Sequence, residues 1–223
     1  MRHIDLPGFP HELVYLRPLI RADAPFWYAY LTKPHVLEHT SWHLASMDEL
    51  QLKFDAMESS DPGAEMRFAI ILHDSGALVG TVGFHSVSPL NRTAEIAYDL
   101  APDVWGRGIA AAACNAMVEW GFLHLGAVRI QAAALDTNTR SVRVLEKCGF
   151  QCEGLLRNFR MVRGHPRDFW IYSRLNPHSA VAEPQIASVM LARVVVGENR
   201  RGIVSQQVAR SCAAPSCGIV GIV

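Results

Sequence analysis

The stretch Thr93-Ala-Glu-Ile-Ala-Tyr-Asp-Leu-Ala-Pro-Asp-Val-Trp-Gly-Arg-Gly-Ile-Ala-Ala-Ala-Ala-Cys114 changes its period twice. Thr93 to Leu100 reads as a short strand, Pro102 ends it, and Gly106-Arg-Gly108 makes a tight turn before an Ala-rich helix reaching to about Leu125. A buried-type strand, Val128 to Leu135, comes next, so the unit is strand, glycine turn, helix, strand. Because the helix starts at the glycines, successive backbone N–H groups converge there at the positive end of the helix dipole. Glycine at 106 and 108 keeps side chains away from an approaching anion, and the small run Ala110 to Ala113 lets the helix lie close on a sheet. A diphosphate fits such a place; so does a tight turn that binds nothing.

Two diphosphate signatures fit poorly. A Walker A loop needs Gly-Lys-Ser/Thr after the glycines, and Gly108-Ile-Ala110 does not supply it. A dinucleotide fingerprint is formally matched by Gly106, Gly108 and Ala111, with Asp136 as the ribose acid. Against it, Ala101 to Trp105 separates the strand from the glycines, and a long meander comes first.

Upstream, Leu13 to Leu19 alternates as a strand, Asp23 caps a helix from Ala24 to Leu31, and a second helix follows Ser46, with Leu50, Phe54 and Met57 at helical spacing. Asp61-Pro-Gly63 ends that helix. Arg67 to Leu72, Ala77 to His85 and Thr93 to Leu100 then form a three-strand meander with a turn at Asp74-Ser-Gly76. Downstream, Asp136 to Ser141 supplies cap residues for a short helix ending at Cys148-Gly149, where glycine suits the left-handed position after a helix. Phe150 to Arg160 and Asp168 to Leu175 close the sheet as a hairpin. Beyond Asn176 the texture changes, with Pro177, Pro184 and an apolar run from Ile186 to Val196. Residues 1–176 are therefore expected to be one domain and 177–223 a C-terminal extension, open to reading as a swapped or added strand, an interaction segment or a non-native addition.

Among 223 residues, 50% are apolar and 19% charged, and 21 Lys+Arg balance 21 Asp+Glu, the make-up of a soluble globular protein. That balance speaks against a nucleic-acid partner. No apolar run is long enough to span a bilayer, and Met1-Arg-His3 leads to Asp5 and Pro7 rather than to an apolar signal core, so no membrane partner and a cytoplasmic location are expected. The five cysteines are an odd number without paired metal-type spacing, and the ten histidines form no metal-type pair on a helix, so no metal is expected.

Trp105-Gly-Arg-Gly-Ile-Ala110, then Asn138-Thr-Arg-Ser-Val-Arg-Val-Leu-Glu-Lys-Cys-Gly-Phe150, then Glu153-Gly154 and Asp168-x-x-x-Tyr172 together resemble the GNAT superfamily of N-acetyltransferases. Within it the chain looks most like the Rim-type branch that acetylates protein N-termini. The resemblance covers roughly Leu13 to Leu175, and its strength lies in the ordered co-occurrence of the motifs.

The resemblance implies an α/β fold with a mixed, largely antiparallel central sheet, a splayed parallel strand pair and flanking helices. It implies acetyl-coenzyme A as co-substrate, lying between the splayed strands. There its amide-rich arm pairs with freed backbone at Tyr98, Asp99 and Leu100, while Gly106, Arg107, Gly108, Ile109, Ala110 and Ala111 cradle the pyrophosphate and Asn138 contacts the arm. The reaction needs an uncharged amine, a stabilised oxyanion and a proton for the thiolate. Glu95 is the candidate base, directly or through water, because Gln131-Ala-Ala-Ala134 offers no rival carboxylate. A backbone N–H near Leu100 would serve the oxyanion. Where many relatives carry a tyrosine this chain has Leu145, and Ser141 takes over as proton donor in the Rim-type pattern. Trp42, His43, His85, Phe159, Asp168 and Tyr172 are candidates for the acceptor side, each also open to a structural role.

The acceptor expected is a protein N-terminal α-amine, whose ordinary pKa of about 7.7–8.0 asks less of a base than the roughly 10.4 of lysine. A small-molecule amine such as an antibiotic or polyamine, and a non-catalytic acyl-coenzyme A-binding module, are the alternatives. The chain is expected to act as a monomer or homodimer.

Overall fold

Seven strands form one sheet in the order β1-β2-β3-β4-β5-β7-β6: β1 (Val14–Pro18), β2 (Met66–Leu72), β3 (Leu78–Ser88), β4 (Thr93–Leu100), β5 (Arg129–Leu135), β6 (Gln151–Val162) and β7 (His165–Leu175). The computed structural model describes residues 6–41, 44–59 and 61–179. Every neighbouring pair is antiparallel except β4 and β5, which are parallel and joined through α4 (Ile109–His124). The mixed, largely antiparallel sheet is the expected one.

The central strands are apolar on both faces because both are covered. Phe68, Ile70, Val82, Phe84, Ile96 and Ile130 meet Met117, Val118 and Trp120 of α4 on one face, which also carries α5 (Thr139–Lys147). On the other face α1 (Ala24–Leu31) and α3 (Asp48–Glu58) bury Trp27, Tyr30, Leu31, Leu50 and Phe54. A smaller cluster of Ala133, Leu135, Val162 and Phe169 continues that second face across β5, β6 and β7. Helix α4 sits close to the sheet at Gly121, where a Cβ would stand 2.8 Å from Phe84 Cζ and 2.9 Å from Ile130 Cδ1.

Three local readings are corrected. Asp23 does precede α1, but its carboxylate accepts from Ile20 N (2.9 Å) and Arg17 (2.6 and 2.7 Å) instead of from the helix, so Arg17 outcompetes the cap. A short helix α2 (Pro34–Leu37), opened by its proline, lies between α1 and α3 where no element was expected. The closing hairpin is longer than its apolar pattern suggests. Its strands run to Val162 and from His165 around Arg163 (φ +50°) and Gly164 (φ +80°), a two-residue turn with both residues left-handed.

Candidate active site

Only Thr93↔Arg129, Ala94↔Ile130 and Glu95↔Gln131 pair across the parallel strands. Beyond them β4 stays with β3 and β5 stays with β7, so Ile96 to Leu100 and Ala132 to Leu135 diverge. Backbone groups along those two facing edges lack the partner that a continuous sheet supplies, which makes the wedge receptive to an extended, amide-bearing ligand. The side chains of β4 alternate across the wedge: Tyr98 goes to the α4 face and Glu95 and Asp99 go to the other. Asp99 is filled by Thr81 Oγ1 (2.7 Å), Arg67 (2.9 Å), Trp27 Nε1 (3.2 Å) and the Tyr30 hydroxyl, a network that ties α1 to β4. Tyr98 and Asp99 thus offer the wedge main chain, while their side chains are engaged elsewhere.

Past the wedge, Gly106 (φ +78°) and Gly108 (φ +80°) turn the chain into α4, with Gly108 as the residue preceding the first helical turn. Both backbone conformations are ones that side-chain-bearing residues avoid, and nothing lies within 4 Å of a Cβ built at either. The turn therefore presents bare main chain to a cavity of about 520 Å³, lined also by Leu100, Arg107, Ile109, Ala110, Ala111, Asn138 and Ser141. The charged side chains around it are Arg107, Arg140, Arg143 and Lys147, with no carboxylate among the described residues that line it. Arg140 also lies 4.4 Å above the Trp105 ring, and Trp105 Nε1 donates to Leu100 O (3.0 Å). Arg140, Arg143 and Lys147 were missed from the sequence, although their i, i+3, i+7 spacing puts them on one side of α5. An open turn, a helix N-terminus and four cations suit a ligand with several phosphate charges, as acetyl-coenzyme A has.

Asn138 does cap α5: its Oδ1 accepts from Ser141 N (3.0 Å), while its Nδ2 donates to His39 O (3.3 Å). Ser141 is 1% exposed, and its Oγ pairs with the Tyr98 hydroxyl at 2.9 Å. Burial pushes the Tyr98 hydroxyl well above its ordinary range, so it stays protonated and can donate to Ser141.

Glu95 stands where the strands part. Its Oε1 accepts from Arg160 (2.9 Å) and pairs with His85 Nε2 (3.1 Å), and its Oε2 accepts from Gln131 Nε2 (3.2 Å). Burial alone would raise this carboxyl, but His85 and Arg160 outweigh it and bring it down to about 2. His85 is the extra residue at the bulge between Phe84 and Ser86, and lies on the Glu95 face although Ser86 is the residue paired with Glu95. The expectation that Glu95 takes the proton of an amine thus meets a carboxylate that is ionised, fully engaged and weakly basic. Holding Arg160 and His85 beside the wedge is the part its geometry suits.

Of the other acceptor-side candidates, Phe159 joins Arg160 and Phe169 on the Glu95 side, with ring centroids of the two phenylalanines 5.9 Å apart. Asp168 instead accepts from Asn158 N (2.7 Å) and props the bulge of β6, at which Asn158 is left-handed. Tyr172 packs on the opposite face, with its hydroxyl on Glu146 (3.3 Å). Asp168 and Tyr172 are thus each held in a structural contact, Asp168 at the β6 bulge and Tyr172 against α5. Trp42 and His43 lie outside the described residues.

Residues 14–151 match a family of acetyltransferase (GNAT) domains. An uncharacterized N-acetyltransferase of Bacillus subtilis, YoaA, is 39% identical over 177 residues, 77% of this chain and 98% of its own. The structure of a ribosomal-protein-S5-alanine acetyltransferase from Vibrio fischeri shares the fold, with a TM-score of 0.68 at 21% identity over 76% of this chain and 97% of that one. A spermidine N-acetyltransferase from Vibrio cholerae, solved with CoA and spermine, gives a TM-score of 0.66 at 25% identity over 74% of this chain and 96% of that one.

Proposed function

The chain belongs to the GNAT acetyltransferase family and is an acetyl-coenzyme A-dependent N-acetyltransferase, and from that premise we propose that its acceptor is the α-amine of a protein N-terminus. The observation that carries this reading is the state of the carboxylates on the face of β4 opposite α4. Glu95 is held by Arg160, His85 and Gln131, and Asp99 by Arg67, Thr81, Trp27 and Tyr30. A polyamine brings several positive charges and needs open carboxylates to meet them. An α-amine brings one, and at neutral pH an appreciable share of it is already uncharged.

Residues Gly106 to Ala111 hold the pyrophosphate by main-chain N–H groups, assisted by Arg107 and the α5 cations. The main chain of Tyr98 to Leu100 pairs with the pantetheine arm, Asn138 contacts that arm, and an N–H near Leu100 donates to the thioester oxygen. The amine nitrogen attacks the thioester carbon, the C–N bond forms as the nitrogen sheds one proton, the C–S bond breaks, and Ser141, backed by the Tyr98 hydroxyl, gives the thiolate its proton and is reprotonated by the one released from the amine. Acetyl-coenzyme A supplies the activated acetyl group.

The test is thiol release from acetyl-coenzyme A with a panel of peptides with free N-termini, their N-blocked lysine-bearing counterparts, and spermidine, with products located by mass spectrometry. Acetylation at the peptide α-amine is expected. Faster turnover of spermidine than of every peptide would overturn the N-terminal reading.

A further inference from the structure

Every acetyl transfer to an amine must dispose of a proton, and the groups around the wedge differ in their freedom to take it. Both Glu95 oxygens are in use. Of the His85 ring, Nε2 is on Glu95 and Nδ1 is 3.2 Å from Ser86 Oγ. His39 is different. It follows α2 and lines the same cavity as Leu100, Asn138 and Ser141, yet its Nδ1 is buried with no hydrogen-bond partner among the described residues. Ser41 Oγ, two residues on, is also buried and also without a partner, the residue being 6% exposed.

Buried polar atoms are nearly always paired, so two orphans in three residues call for a missing polar group. The segment is held from two sides, which keeps it from turning away to find partners of its own. Asn138 Nδ2 donates to His39 O, and Arg163 at the tip of the β6–β7 hairpin donates to Leu37 O and Glu38 O. The same asparagine thus orders Ser141 with its oxygen and His39 with its nitrogen.

We propose that His39 and Ser41 form the subsite for the acceptor amine, with His39 Nδ1 accepting its proton as the C–N bond forms and Ser41 Oγ hydrogen-bonding the same amine. This rests on the acetyltransferase reading but not on which amine is the acceptor. The reaction balances: one amine N–H bond is given up to His39, the C–S bond breaks, the sulfur takes a proton from Ser141, and the proton held by His39 passes through solvent to restore Ser141. Histidine suits the task because its charge changes near neutral pH. The charged groups around the segment are Arg163 on the preceding carbonyls, Arg107, Arg140, Arg143 and Lys147 around the cavity, and Glu38 beside it in the chain.

The experiment compares the full chain with His39→Gln, His39→Ala and Ser41→Ala. The acceptor is the best amine of the panel above, kcat and kcat/KM are followed across pH, and acetyl-coenzyme A binding is measured by calorimetry. Expected for His39→Gln is a fall in kcat of about a hundredfold or more, loss of the acidic limb of the kcat/KM profile, and acetyl-coenzyme A affinity within about threefold of the parent. Added imidazole restores part of the His39→Ala activity, and Ser41→Ala raises KM for the amine. A His39→Gln variant with parental kcat and an unchanged acidic limb overturns the assignment, and so does a variant that loses activity only along with acetyl-coenzyme A binding. A parent that binds acetyl-coenzyme A yet releases thiol with no amine overturns the acetyltransferase reading itself, which is a different outcome.

Discussion

Glu95 carries a charge that its surroundings both require and hold in place. Its carboxyl sits at about 2 in the fold against an ordinary 4.5, so its contribution to stability is complete above about pH 4.5 and is lost as pH falls toward 2. The shift corresponds to about 3 kcal/mol at most. Glu95→Gln is therefore expected to be less stable than the parent at pH 7, because Arg160 loses the carboxylate charge it pairs with, and to lose less stability between pH 4.5 and 2. Urea unfolding midpoints across that pH range give the comparison; parallel curves for the two proteins would count against the pairing. Ser141→Ala should lower kcat by about tenfold to a hundredfold with little change in KM for acetyl-coenzyme A, since thiolate is already a good leaving group. Steady-state kinetics with both substrates varied will tell. Both residues were visible in the sequence through its family resemblance, but their partners were not. His85 and Arg160 sit at register shifts in β3 and β6, of one residue and of two, and the alternation within a strand does not say which residue of another strand its side chains will meet.

At the level of elements, the glycine turn and α5 share the work of binding phosphates. Gly108→Asp combines a left-handed backbone that costs about 1–2 kcal/mol for an ordinary residue with a carboxylate set against the diphosphate, and it should abolish acetyl-coenzyme A binding. Gly108→Ala pays the first penalty alone and should retain weakened binding; calorimetry on the two variants separates strain from charge. Replacing Arg143 and Lys147 together by alanine should weaken acetyl-coenzyme A binding and flatten its dependence on salt, because two of the four cations at the cavity are removed. Titrations at low and high ionic strength measure this. The boundaries of α1 and β4 match their sequence reading, with Pro25 in the first turn of α1 and Pro102 two residues past β4. The α5 stripe was there to be counted, but only the packing that brings α5 beside the start of α4 makes those cations a site. Helix α2, a single turn with no apolar period, offered nothing to count beyond Pro34.

For the molecule as a whole, the last strand among the described residues ends at Leu175, and a relative is matched over 98% of its length by 77% of this chain. A chain ending at Pro177 is expected to keep the fold and the turnover number of the parent. Circular dichroism melting and thiol release decide it; an inactive or unfolded product would show that residues 178–223 belong to the domain. The parallel seam has another consequence. With three residue pairs joining β4 to β5, the molecule is two half-sheets stitched at one end. Amide protons along the open stretch should exchange with deuterium readily when the protein is alone and slow sharply once acetyl-coenzyme A lies in the gap, so that the substrate is, while it stays, the eighth strand.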